Sequence, residues 1–145
     1  MRVYIDTNVI IDLLAQREPF YKDVFKLFEK IADNHLIGYT SVKSLSDVYY
    51  VLHRTMHSHE EAGRMIVRTM TLLQVADNTD FDLLRTFSCK TNDFEDNLIT
   101  QLSSRLMLDY IVSRNVKDFD PSFVKAITPK ECLDILELSQ LSAEQ

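Results

Sequence analysis

The sequence predicts an α/β protein built on a short parallel sheet, with a helical hairpin to one side. Three observations carry this. Short β-forming runs, Val3-Tyr4-Ile5, Leu36-Ile37-Gly38-Tyr39-Thr40 and Tyr110-Ile111-Val112-Ser113, alternate with amphipathic stretches of helical length. That is the pattern of strand–helix–strand units joined by right-handed crossovers. The chain has 145 residues, 46% of them apolar, with no low-complexity tract. This is the size of one domain with a proper core, and it argues against disorder. Only two glycines occur, so a phosphate-cradling glycine loop is ruled out, and with it nucleotide binding of the Rossmann or P-loop kind.

In order along the chain, residues 2–6 form a buried strand because β-formers follow one another in a short run. Thr7 or Asn8 caps a short helix over 9–14. Pro19 breaks it and suits the first turn of the next helix. There Phe20, Val24, Leu27, Phe28 and Ile31 recur at steps of three and four, the stripe of an amphipathic helix. A second strand spans 36–40, and Ser41 caps a helix over 42–55. His57-Ser58-His59 makes the turn into a partner helix over 60–73, completing the hairpin. A short strand follows at 73–76, then helices over 80–89 and 93–107, the second with Leu98, Ile99, Leu102 and Leu106 on its apolar side. Strands at 110–113 and 126–128 precede a last helix opened by Pro129. Residues 1–138 are expected to form the single domain and 139–145 a polar C-terminal tail, since no basic residue follows Lys130.

The net charge of -6 lacks the basic surplus that nucleic-acid binders usually show, although an acidic metal site biases that count. Cys89 and Cys132 match neither a zinc nor a redox spacing and are expected as core thiols of a reducing compartment. The chain enters its first strand without a charged-then-apolar leader, and no apolar run reaches ~18 residues. The expectation is a cytoplasmic protein with no membrane segment. His53, His57 and His59 are close enough to suggest a metal, but a helix end and its turn are ordinary places for exposed histidine.

The acids carry more. Asp6 ends a buried strand, where an unpaired carboxylate is costly and needs a cap role or a cation. Asp93, Glu95 and Asp96 open a helix, where the dipole favours negative charge; Asp93 is the natural cap, and Asp96 falls on the first turn. Asp47 lies within a helix, and Asp118 follows a strand by five residues. Each has a plain alternative, as a solvated, capping or turn residue. Ligands of open α/β sheets bind where parallel strands end and helices begin, and carboxylates gathered there repel one another unless protons or cations intervene. Hard dications such as Mg²⁺ or Mn²⁺ favour such oxygen ligands, and metal-assisted phosphodiester hydrolysis is the chemistry they would serve.

The blocks Val3-Tyr4-Ile5-Asp6-Thr7-Asn8, Ser41-Val42-Lys43-Ser44-Leu45-Ser46-Asp47, Asp93-Phe94-Glu95-Asp96 and Ile111 to Phe119, in that order, resemble the PIN-domain proteins. The resemblance is to the bacterial, VapC-like branch that holds the ribonuclease toxins of type II toxin–antitoxin modules. It implies a three-layer α/β/α sandwich and a Mg²⁺- or Mn²⁺-dependent endoribonuclease, with Asp6, Asp96 and Asp118 as metal-binding acids and Asp47 completing the catalytic set. Asp47 stands where the family usually has glutamate, and Asn115 where many relatives have aspartate. The resemblance makes Asn8, Ser41 and Ser113 polar supports of the acids, with Asp93 and Asn115 beside them. By their place in the sequence, Arg114 and Lys117 are expected to grip RNA. By analogy with the family an antitoxin protein is expected, and the hairpin stripes offer a surface for it or for a second copy in a homodimer. Two other readings stand beside this one. One is an inactive module that binds RNA or protein, suggested by Asp47 and Asn115. The other is a phosphatase using Asp6 as nucleophile, which the presence of Asn8 two residues later disfavours.

Overall fold

The computed structural model describes residues 1–145. Strand β1 (Arg2–Ile5) leads into α1 (Thr7–Leu14) and α2 (Tyr21–Ala32); β2 (Ile37–Ser41) leads into the hairpin α3 (Val42–Met56) and α4 (His59–Leu72). Strand β3 (Gln74–Ala76), α5 (Asp80–Arg85) and a 3₁₀ turn at Thr86–Ser88 come next, then α6 (Phe94–Arg105) and β4 (Tyr110–Val112). A second 3₁₀ turn (Val116–Asp118), β5 (Lys125–Ile127) and α7 (Pro129–Ala143) close the chain.

The five strands are ordered β3-β2-β1-β4-β5 and every pairing is parallel. From central β1 the chain winds outward through β2 and β3, then returns to add β4 and β5 on the other side. The strand order therefore reverses between β1 and β4, which puts a ligand crevice at their carboxyl ends.

Side chains of β1 alternate across the sheet, as strand geometry requires. Val3 and Ile5 join a core of twenty buried residues with α1, α2, α3 and α7. Tyr4 joins a core of eight with Ile99, Leu102 and Ile111. The expected three layers are present, and they are unequal. The thinner layer is completed by polar side chains: Asn97, Thr100, Gln101 and Ser103 of α6 are buried, and Gln101 Oε1 and Ser103 Oγ have no partner within the protein. Gly38 is required by close packing, because a Cβ there would lie 2.6 Å from Leu73 Cδ2. No helix is long and apolar enough to cross a membrane.

Three boundaries and one buried face differ from expectation. Pro19 follows a cis peptide bond and stands ahead of α2 instead of opening it. The Arg17 carbonyl accepts from the N–H groups of both Phe20 (3.1 Å) and Tyr21 (2.8 Å), so that the helix begins after the turn. The helix expected over 80–89 stops at Arg85 and tightens to 3₁₀, where Thr86 Oγ1 donates to the Leu83 carbonyl (2.6 Å). Residues 139–143, read from sequence as tail, continue α7. On α6, Leu98 and Leu106 are only half-buried, because the helix faces the core with its polar residues as well.

Candidate active site

Asp6 sits where β1 ends and α1 begins. Its backbone N–H still pairs with the Val112 carbonyl at 3.0 Å, so the β1–β4 ladder fixes its position. Its Oδ1 accepts from the Thr7 N–H (2.7 Å) and its Oδ2 from the Ser113 hydroxyl (2.7 Å). Asp6 thus caps α1, as the plain alternative had it, while one edge of the carboxylate is held by β4's terminus. Ser113 Oγ in turn accepts from Asn8 Nδ2 (3.3 Å) and the Asn115 N–H (3.0 Å). The Arg114 N–H donates to Asn8 Oδ1 at 3.4 Å. Asn8, Ser113 and Asn115 therefore form one polar lattice that orients Asp6.

The second wall is the start of α6. Asp93 caps it, its Oδ1 accepting from the Asp96 N–H (3.0 Å). Behind the cap, Thr91 Oγ1 donates to Asn97 Oδ1 (2.6 Å) and Asn97 Nδ2 to the Thr91 carbonyl (3.0 Å). Asp6 and Asp96 line one cleft of about 370 Å³, together with Asn8, Ser41, Lys43, Asp47, Glu95 and Asn115.

Electrostatics mark Asp96 out. Its pKa is pushed up to about 7, first by burial and then by the negative charges of Asp6, Asp93, Asp118 and Glu95. The Asp6 carboxyl is also raised, by burial, although the Ser113 and Thr7 donors partly offset it. Neither makes a salt bridge. The donor set is all oxygen, which suits a hard dication, and Mg²⁺ needs only one or two protein carboxylates because it keeps most of its water. No three His, Cys, Asp or Glu side chains converge into an all-protein cage. The residues fit a cation held through Asp6, Asp96 and water.

The remaining expected residues fall around this pair. Ser41 caps α3 by accepting from the Ser44 N–H (3.1 Å) and meets the Tyr4 hydroxyl at 2.8 Å, so it braces the cleft floor. Asp47 lines the cleft, but its Oδ2 lies 2.7 Å from Lys43 Nζ, which also reaches Glu95 at 3.4 Å. Asp118 is exposed in its 3₁₀ turn and bears on Asp96 through charge, not as part of the cleft wall. Lys117 is exposed and likewise outside the wall. Arg114, expected to grip RNA, stands outside the cleft wall. Its guanidinium is held by buried Asp12, at 2.6 Å and 3.3 Å, and lies 4.2 Å over the Phe20 ring.

Sequence reasoning missed the two cations of the cleft, Arg17 and Lys43. For Lys43 the signal was its i,i+4 spacing to Asp47 on one helix face; for Arg17, in a loop, there was none. It also missed Tyr4, whose hydroxyl is buried between Ser41 and Ser44 (2.8 and 2.6 Å) and whose pKa burial pushes up to about 12. Two of the three hairpin histidines pack on Tyr49: His53 stacks on its ring and His59 Nδ1 meets its hydroxyl at 2.5 Å.

Comparison with known proteins bears on the family and the fold. The family model described as "PIN domain" matches residues 2–117. No curated protein matches significantly. Among solved structures, VapBC2 of Rickettsia felis, bound to a DNA fragment from its promoter, aligns with a TM-score of 0.66 at 14% identity, covering 88% of this chain and 98% of that one. VapBC-1 of nontypeable Haemophilus influenzae aligns at 0.63 and 16% identity, covering 90% and 99%. VapC20 of Mycobacterium tuberculosis, a toxin that cleaves the sarcin–ricin loop, aligns at 0.61 and 15% identity, covering 75% and 86%. At these identities the likeness is one of fold.

Proposed function

The chain belongs to the PIN-domain family, and from that premise we propose that it is a Mg²⁺- or Mn²⁺-dependent endoribonuclease, the toxin of a toxin–antitoxin pair. The observation that carries this is the pair Asp6 and Asp96, which line one cleft at the sheet's reversal point with no cationic side chain bound to either. Such a pair is electrostatically incomplete, and a dication completes it.

Asp6 presents a pre-oriented carboxylate, because Thr7 and Ser113 fix it and Asn8 and Asn115 fix Ser113. Outer partners of this kind are worth about 10–100-fold in metal affinity or activity. The raised Asp96 carboxyl is partly protonated near neutral pH, and a bound cation would favour its ionised form. A divalent cation between the two would lower the pKa of water and neutralise charge building on the phosphodiester. Asp118 and Asp93 add negative potential that favours the cation, while Arg17 and Lys43 at the rim offset it and suit the phosphates of RNA. Asp47, neutralised by Lys43, supports the rim and does not act as a ligand.

An antitoxin partner is supported by the fold-level neighbours, several of them VapBC complexes. The face of the hairpin suits a protein partner or a second copy: Val42, Tyr50, Val67 and Met70 are exposed beside a cleft of about 480 Å³ between α3 and α4. A second reading, an RNA- or protein-binding module without activity, draws on the Lys43–Asp47 pair, which occupies an acid of the catalytic set.

Incubating the protein with a mixed RNA pool, with and without Mn²⁺, beside an Asp6→Asn variant separates the two. The nuclease predicts fragments that need both metal and Asp6. Intact RNA, together with no heat of Mn²⁺ binding, favours the inactive module.

A further inference from the structure

The first turn of α6 is a wall with two sides. Glu95 and Asp96 line the carboxylate cleft; Phe94 and Asn97 line a second cavity of about 220 Å³, completed by Phe87, Thr91 and Asn92. Phe87 is 77% exposed and Phe94 45%. Their ring centroids are 6.2 Å apart and the planes are inclined at 39°. The rings meet at a tilt and are not stacked, and Phe87 stands largely in water.

An open aromatic pair on the surface costs solvation unless something covers it. Here the pair borders hydroxyl and amide groups, and Asn92 is exposed. Aromatic faces with amide groups at the edge are how proteins hold unpaired bases: the rings stack, and the amide reads the base edge. Exposed Lys90 follows Cys89 of the same cavity, with its backbone N–H tied to Asp120 Oδ2 at 2.7 Å. Its side chain adds a positive charge to the segment that borders the cavity.

We infer that the Phe87–Phe94 cavity is a subsite for an unpaired nucleobase of single-stranded RNA, one helical turn across from the carboxylates. This rests on the RNA reading above and adds to it. A phosphate at Asp6 and Asp96 leaves the next nucleotide to cross the α6 turn and lay its base on the exposed Phe87 ring, with Phe94 at its edge. The subsite therefore selects single-stranded or looped RNA, since a paired base cannot enter. A protein contact is the rival occupant, because Phe81 and Leu84 of α5 are also exposed. The base is favoured because the lining beyond the two rings is polar, because Arg85 already covers Phe81 at 5.6 Å, and because the cavity shares a wall with the carboxylate cleft.

The test is RNA binding without cleavage: fluorescence anisotropy of a labelled short single-stranded RNA in EDTA, with the parent, Phe87→Ala and Phe87→Tyr. Stacking of one base predicts that Phe87→Ala weakens binding about tenfold, while Phe87→Tyr, which keeps the ring, binds as the parent does. Equal affinity of Phe87→Ala and parent overturns the subsite, as does a parent that binds no RNA. It is also overturned if Phe87→Ala dissociates a dimer in sedimentation and leaves RNA affinity unchanged, which would make the rings a protein contact. Cleavage in Mn²⁺, scored separately, keeps the two claims apart. Cutting that ignores Phe87 removes the subsite and spares the nuclease; Phe87-dependent binding with no cutting does the reverse.

Discussion

Two pairs of aspartates contrast in this molecule, apart from buried Asp120, which neutral donors of Lys90 and Ser122 satisfy. Asp12 and Asp82 are fully buried, at 0% and 1% exposure, and each is gripped by an arginine. Arg114 holds Asp12 at 2.6 and 3.3 Å; Arg105 holds Asp82 at 2.9 and 3.0 Å. Burial pushes both carboxyls up, and Arg114 returns Asp12 part of the way. At Asp82, Arg105 and the Thr79 N–H win and hold it below the usual carboxylate range. Asp6 and Asp96 have no such partner, and the charge of Asp6 helps to raise the Asp96 carboxyl. The same chain that supplies arginines to two buried acids withholds them from two others. The paired acids join elements, α1 to the loop after β4 and α5 to α6. The unpaired ones sit at the sheet's reversal point, where a ligand would supply the missing charge.

The comparison can be broken first on its structural side. Arg114→Met leaves Asp12 buried and alone, which should cost about 3–5 kcal/mol of stability. Denaturant unfolding of Arg114→Met against the double variant Asp12→Leu/Arg114→Met measures it. The double variant should recover most of the loss, since replacing both partners by apolar groups is commonly near neutral. If Arg114→Met unfolds at the parent's midpoint, the pair is not the tie described here.

A smaller effect of opposite sign is expected at the unpaired acids. The folded pKa of Asp96, about 7, lies above the ordinary 3.8. Between those values the folded chain keeps a proton that the unfolded chain has released. Stability without metal should therefore fall as pH rises through that window. Asp96→Asn removes this dependence and should stabilise the metal-free protein at pH 8 by on the order of 1 kcal/mol, about 2–4 °C in Tm, after allowing for solvent screening of a half-buried group. A Tm that drops in Asp96→Asn at that pH would mean that the acid is compensated after all.

The difference between the two kinds of acid also explains how much the sequence revealed. Strands and helices were legible because their periods and caps are local: Asp93, Ser41 and the β1 run read as they fold. Asp6 and Asp96 were legible because a strand end and a helix start are places the topology brings together. The Asp12–Arg114 pair was not, since it joins residues 102 positions apart and nothing in either neighbourhood announces the other. Arg114 was accordingly read as an RNA grip. The place of Asp118 was not legible for a similar reason: a 3₁₀ turn sets it outside the cleft wall with its charge still reaching Asp96, and turn geometry after a strand is set by packing beyond the local residues. The buried polar face of α6 was hidden too, because Asn97, Thr100, Gln101 and Ser103 look like a solvated surface until the thin second core is seen.

The most direct measurement is calorimetric titration of Mn²⁺ into the protein at pH 8, alongside Asp6→Asn, Asp96→Asn and Arg114→Met. The unpaired acids should behave as the site: the parent binds, both Asn variants lose binding, and Arg114→Met, if folded, keeps it. A parent that takes up no Mn²⁺, or Asn variants that bind as the parent does, would contradict the reading of Asp6 and Asp96 as a dication site.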